Sequence, residues 1–126
     1  MDFSIIFIKI FFLGIAAALP LFLFFIFTIC TLGIIIGRRE KWSDYDAIYY
    51  AFVTATTVGY GDFRPVEKIN KFLAVIIAFM GLAFTGIFVS VAVNAATVAF
   101  KSTQDTELLQ VELEEAIKEI LLDTSD

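Results

Sequence analysis

Two long stretches of this chain carry no charge, Ile10 to Gly37 and Phe72 to Phe100, and the polar residues gather between and after them. Each stretch exceeds the ~20 apolar residues an α-helix needs to cross the hydrocarbon of a bilayer. The pattern predicts two transmembrane helices, about 10–37 and 69–100, whose surplus length is taken up by tilt or by extension into water. Gly37 and the run Arg38-Arg39-Glu40-Lys41 end the first span. Ser43 or Asp44 then caps a new helix, with Asp44 and Asp46 favourably placed at its positive end. That helix reads from Asp44 to about Ala55, too short to span.

Residues 1–9 form an apolar lead containing Asp2, Ser4 and Lys9, expected to be an interfacial extension of the first helix. Pro20 should kink or loosen that helix. Ala16-Ala17-Ala18 has the look of a signal cleavage site, but the apolar run continues through Ile36, far beyond a normal signal core, so the span reads as an uncleaved anchor. At the other end, Leu109, Leu113, Ala116 and Ile120 are spaced by alternating steps of four and three, an approximate heptad seam. It predicts an amphipathic acidic helix over 104–126 and a helical bundle continuing the second span. A loose surface helix, or a linker to a further domain, competes with that reading.

Composition agrees with a membrane protein. The chain has 126 residues, 60% of them hydrophobic, which is too short for several soluble domains and too apolar for an ordinary one. Its net charge of −5 is uneven: seven Lys or Arg against six Asp or Glu over residues 1–100, and two against eight over 101–126. The acidic tail disfavours nucleic acid and anionic lipid as partners. No His supplies a neutral-pH switch, and the single Cys30 lies within the first span as a small apolar residue. Neither a nucleophile with its base nor a metal-ligand cluster is apparent, so no enzyme and no resident cofactor are expected.

The chemistry is concentrated in Thr56-Thr57-Val58-Gly59-Tyr60-Gly61-Asp62, placed between the short helix and the second span. A V-G-Y-G string elsewhere is usually a turn. Here it follows a helix too short to span, and non-helical backbone at membrane depth persists only where it is buried in protein or lines water. Gly59 and Gly61 lack a Cβ and can take backbone angles that other residues resist.

This string resembles the selectivity filter of two-transmembrane-helix potassium channels, and the likeness covers roughly residues 10–100. It implies an all-α membrane fold: outer helix, re-entrant pore helix, filter and inner helix, assembled as a four-fold homotetramer in the lipid bilayer. By the resemblance, backbone carbonyls of Thr57, Val58, Gly59 and Tyr60, with Gly61 closing the filter, replace the water shell of permeant K+. Asp62, Val53, Tyr49 and Tyr50 support the filter, and Tyr49, Tyr50 and Phe52 form an aromatic cuff. Some relatives carry a Glu where this chain has Val53, so Asp62 lacks that partner here. Arg64 takes the outer mouth. Gly81 and Gly86 are hinge candidates, with close helix packing as the alternative for each. Leu82, Thr85, Val89, Val93 and Thr97 share one helix face, which in the family lines the cavity and gate.

The family topology implies a multi-pass protein of the cell membrane with both termini cytoplasmic. That places Arg38, Arg39, Lys41, Arg64, Lys68 and Lys71 outside, against the positive-inside tendency. The expected function is a passive potassium-selective pore. A non-selective cation pore of the same architecture and a membrane-anchored assembly scaffold are the alternatives. The opening stimulus is not written in the sequence, which leaves room for a cytoplasmic regulatory domain in a longer or a separate chain.

Overall fold

The computed structural model describes residues 2–125, which form three helices: α1 (Phe3–Arg39), α2 (Asp44–Ala55) and α3 (Lys68–Asp123). Both α1, of 37 residues, and α3, of 56, are long and apolar enough to cross a membrane. At 1.5 Å per residue α1 extends about 55 Å, nearly twice the hydrocarbon thickness. The apolar lead belongs to α1 from Phe3 onward, and Pro20 lies inside that helix. The predicted inner helix and acidic tail helix are one continuous element, with no break between residues 100 and 104.

Chain termini of the helices follow local chemistry. The end of α1 is a Schellman turn: Lys41 adopts a left-handed φ of 61°, its N–H reaches the Arg38 carbonyl, and the Trp42 N–H reaches the Gly37 carbonyl. At the start of α2, Ser43 is the N-cap. Its Oγ accepts from the Asp46 N–H at 3.1 Å and donates to Asp46 Oδ2 at 2.8 Å, so cap and first turn satisfy each other.

The residues fall into two compact units, Ile15–Ser90 and the pair Met1–Gly14 with Val91–Asp126. The first holds the core: Ile29 and Ile36 of α1, Tyr50, Ala51 and Ala55 of α2, and Ile77 of α3 are all buried. Small residues make the close packing there possible. A Cβ at Gly33 would lie 2.5 Å from that of Ala51, and one at Gly37 would collide with Ala47. Ala47, Ala51 and Ala55 recur every fourth residue, so one stripe of α2 meets α1, while Ala55 also abuts Gly81 of α3. In a bilayer, where apolar burial gives no drive between helices, such backbone proximity is the main source of packing energy.

In the second unit, Phe3, Phe7 and Phe11 stack along α1 with ring centroids 6.1 and 5.8 Å apart, and the Phe100 ring meets Phe3 edge-on at 5.6 Å. Gly14 admits Val91, whose Cγ1 stands 2.7 Å from where a Cβ would be. Farther along α3, the predicted seam of Leu109, Leu113, Ala116 and Ile120 is exposed in the single chain.

Candidate functional site

The segment after α2 departs from helix under the control of the last turn itself. The Thr56 N–H and hydroxyl both reach the Phe52 carbonyl, the hydroxyl at 2.6 Å. Thr57 N–H bonds to the Thr54 carbonyl, and Gly59 N–H bonds to the Val53 carbonyl, each at 3.1 Å. Val53 thus serves the segment through its main chain, although its side chain offers Asp62 nothing polar.

From there φ alternates in sign. Thr57 (63°), Gly59 (57°) and Gly61 (78°) are left-handed, whereas Val58 and Tyr60 are not. Alternation of this kind turns successive peptide N–H groups to one side of the strand, and therefore the carbonyls to the other. For the glycines it costs nothing extra. Thr57 is β-branched, and a left-handed φ there costs roughly 1–2 kcal/mol. Its two neighbours in the bonding pattern, Thr54 and Val53, hold the chain where that conformation is required. Among the described residues no backbone N–H bonds to the carbonyls of Thr57, Val58, Gly59 or Tyr60. An edge of such oxygens suits a dehydrated monovalent cation. Residues 56–62 are exposed in the single chain, so one copy presents one edge of oxygens and not a closed ring.

Behind this edge lies an aromatic cluster. The Trp42 ring meets Tyr50 at 5.1 Å and Phe63 at 5.2 Å, and Tyr49 meets Phe63 at 6.1 Å, all edge-on. Tyr50 thus packs with Trp42 and Tyr49 with Phe63, while Phe52 borders an apolar pocket with Phe84. Asp62 finds a partner that its place opposite Val53 did not suggest. The Tyr49 hydroxyl is coupled to its carboxylate, and that interaction, with some burial, raises the Tyr49 pKa. The Asp62 carboxylate also accepts the Phe63 N–H at 3.1 Å. Burial likewise pushes the Tyr50 pKa up.

A second polar knot holds the N-terminal end of α3. Glu40 Oε1 accepts the Val66 N–H (2.9 Å), the Glu67 N–H (3.1 Å) and Asn70 Nδ2 (2.8 Å). A carboxylate from beyond α1 thereby satisfies two backbone donors at the α3 N-terminus, where a negative charge is favoured. The Asn70 bond first, then the Glu67 and Val66 N–H groups and nearby Arg39, hold the Glu40 carboxyl below the ordinary glutamate range, with burial opposing. Arg39 pairs with Glu67 at 2.9 Å, and Arg38 with Asp44 at 3.5 Å. Arg64 is exposed and in neither of these ion pairs.

The remaining predicted residues are dispersed along α3. Gly81 is buried, and a Cβ there would run into the Ala55 carbonyl, so its smallness serves close packing against α2. Gly86 has open space around it. Leu82, Thr85 and Val89 are exposed in the first unit, and Val93 and Thr97 in the second, the Thr97 hydroxyl bonding back to the Val93 carbonyl at 2.9 Å. Sequence reasoning passed over Glu40, Gly33 and the alanine stripe. The repeats Gly33-x-x-x-Gly37 and Ala47-x-x-x-Ala51-x-x-x-Ala55 were the available signal.

Comparison with known proteins bears on the same region. The sequence model of the family described as "Ion channel" matches residues 21–98. Two pore potassium channel a of Oryza sativa is 51% identical over 45 residues, 36% of this chain and 13% of that protein. Two-pore potassium channel 5 of Arabidopsis thaliana is 34% identical over 80 residues, 57% of this chain and 20% of that protein. A voltage-gated potassium channel of the archaeon Aeropyrum pernix is 36% identical over 52 residues, 41% of this chain and 18% of that protein. The matched segments thus span a fifth or less of these relatives. No solved structure matches the chain significantly.

Proposed function

Since this chain belongs to the ion channel family, within which it is similar to potassium channels, we propose that four copies form a pore that conducts K+ selectively and passively across a cell membrane. The observation that carries this reading is the alternation of backbone hand at Thr57, Gly59 and Gly61, with the carbonyls between them free of hydrogen bonds. Four such edges around an axis make stacked oxygen rings, and the Thr57 hydroxyls add one more at the inner end. Ions entering in single file exchange water for these oxygens and leave by mutual repulsion.

In this arrangement α2 is a re-entrant pore helix and α1 and α3 are the outer and inner spans. Both termini are cytoplasmic. The outer-side placement of six basic residues is eased by five acidic ones over residues 38–71, and Arg38 and Arg39 are each in an ion pair. Leu82, Thr85, Val89, Val93 and Thr97 then line the cavity and the inner gate, and the acidic tails of α3 associate along their exposed seam.

The test is reconstitution of the full chain in liposomes with K+ and Na+ fluxes measured side by side. Potassium flux well above sodium flux is expected. Equal fluxes make the protein a non-selective cation pore, and no flux of either ion turns the reading toward a membrane scaffold.

A further inference from the structure

The two ends of the oxygen edge are held in different ways. Close to α2, the N–H groups of Thr56, Thr57 and Gly59 bond to the carbonyls of Phe52, Thr54 and Val53, so the last helical turn sets the path directly. From Tyr60 to Val66, among the described residues, no backbone N–H bonds to a backbone carbonyl. The far half of the edge is therefore positioned by side chains. Residues 56–62 are exposed in the single chain, and Phe63 is the first residue beyond them to be partly buried. Its ring packs against the core of the unit Ile15–Ser90 and meets the Trp42 ring at 5.2 Å.

Trp42 has a fixed base for this contact. Its N–H closes the Schellman turn on the Gly37 carbonyl at 2.7 Å, and its ring also meets that of Tyr50, a buried residue of α2, at 5.1 Å. Both contacts are edge-on, the arrangement that the aromatic quadrupole favours. Aromatic residues also gather at membrane interfaces for the sake of the headgroups, a role that asks for no ring partner. Trp42 has two.

We propose that Trp42 is a positioning residue for the oxygen edge: it fixes Phe63, and through Phe63 the placing of the Gly59 and Tyr60 carbonyls that select K+ over Na+. Three residues of extended chain reach at most about 11 Å, so a shift of the Phe63 ring passes to the Tyr60 carbonyl with little slack to absorb it. The consequence for selectivity rests on the pore reading; the ring contact does not.

The parent protein, Trp42→Leu and Trp42→Phe, each reconstituted in liposomes, test the consequence. Loss of two ring pairs should lower the K+ to Na+ flux ratio of Trp42→Leu about tenfold with assembly size in detergent unchanged, and Trp42→Phe should recover most of the ratio. A merely structural role would lower assembly and total flux and leave the ratio alone. Trp42 is also the sole tryptophan of the chain, so its emission reports the contact even if Trp42→Leu does not fold. In detergent micelles, exchange of Na+ for K+ should shift the emission saturably, and Phe63→Leu should abolish that shift. A parental flux ratio in Trp42→Leu overturns the proposal, as does an emission shift that survives in Phe63→Leu. Equal K+ and Na+ fluxes in the parent overturn the potassium-selective reading, and a parental emission that Phe63→Leu alters then still upholds the contact.

Discussion

The Tyr49 phenol on α2 is coupled to the Asp62 carboxylate across the segment 57–61, and that coupling holds the Tyr49 pKa up. Tyr49→Phe removes the hydroxyl and keeps the ring against Phe63. Potassium current should decay several-fold faster during sustained opening, with selectivity at the start unchanged. Macroscopic currents from the reconstituted variant check this, and unaltered decay rules out the Tyr49–Asp62 coupling as a support. The pH dependence has a definite sign. The Tyr49 pKa is raised in the folded protein, so the contribution of its coupling to Asp62 is fully present below the ordinary tyrosine range and is lost only as pH rises through the elevated value.

Glu40 gives the opposite dependence. Its pKa is lowered in the folded state, so its contribution is present above the ordinary glutamate range and is lost as pH falls through the depressed value. Glu40→Ala leaves the Val66 and Glu67 N–H groups without their acceptor. Hydrogen exchange at those two amides should accelerate in Glu40→Ala, and less so in Glu40→Gln, which keeps an acceptor oxygen. Equal protection in all three proteins argues against the cap.

Gly81 and Gly86 should respond oppositely to the same substitution. Ala is the better helix former by about 1 kcal/mol, so Gly86→Ala, with open space around it, should be neutral or stabilising. At Gly81 the added methyl meets the Ala55 carbonyl, and overpacking of this kind costs roughly 1–3 kcal/mol. Gly81→Ala should melt earlier in detergent and lose potassium selectivity, because the displaced residue adjoins Thr56. A Gly81→Ala protein of normal stability and altered opening would make the position a hinge.

Arg64 is expected to weaken block by external quaternary ammonium ions, since four guanidinium groups at the mouth repel a cation. Arg64→Tyr should strengthen block, as an aromatic face attracts such ions. The difference should shrink with salt, over a Debye length of ~8 Å at physiological ionic strength. Glu67 does little to offset Arg64, being paired with Arg39. Tight block of the parent protein would place Arg64 away from the axis.

Local chemistry made much of this molecule legible. Ser43, Asp44 and Asp46 mark the start of α2, and the uncharged runs locate α1 and the apolar part of α3, because each signal acts within a few residues. What escaped was non-local or strained. Glu40 bonds to residues 26–30 positions away, and no periodicity carries that information. Thr57 takes a left-handed φ that its side chain disfavours, so propensity argues against the observed backbone. The continuity of α3 was hidden by the change from apolar to acidic composition near Lys101, which alters solvent and leaves helix propensity intact.

The alternating backbone of the filter is complete within a single chain, and in the proposed assembly every ring draws one oxygen from each copy. A chain altered at Gly59 or Gly61 but still able to fold would enter assemblies with normal chains and spoil every ring of each assembly it joins. A chain altered at Ala51 or Gly33, unable to pack, would drop out before assembly. Co-expression with the normal chain should separate the two classes: variants at Gly59 or Gly61 should suppress its current, and variants at Ala51 or Gly33 should leave it unchanged.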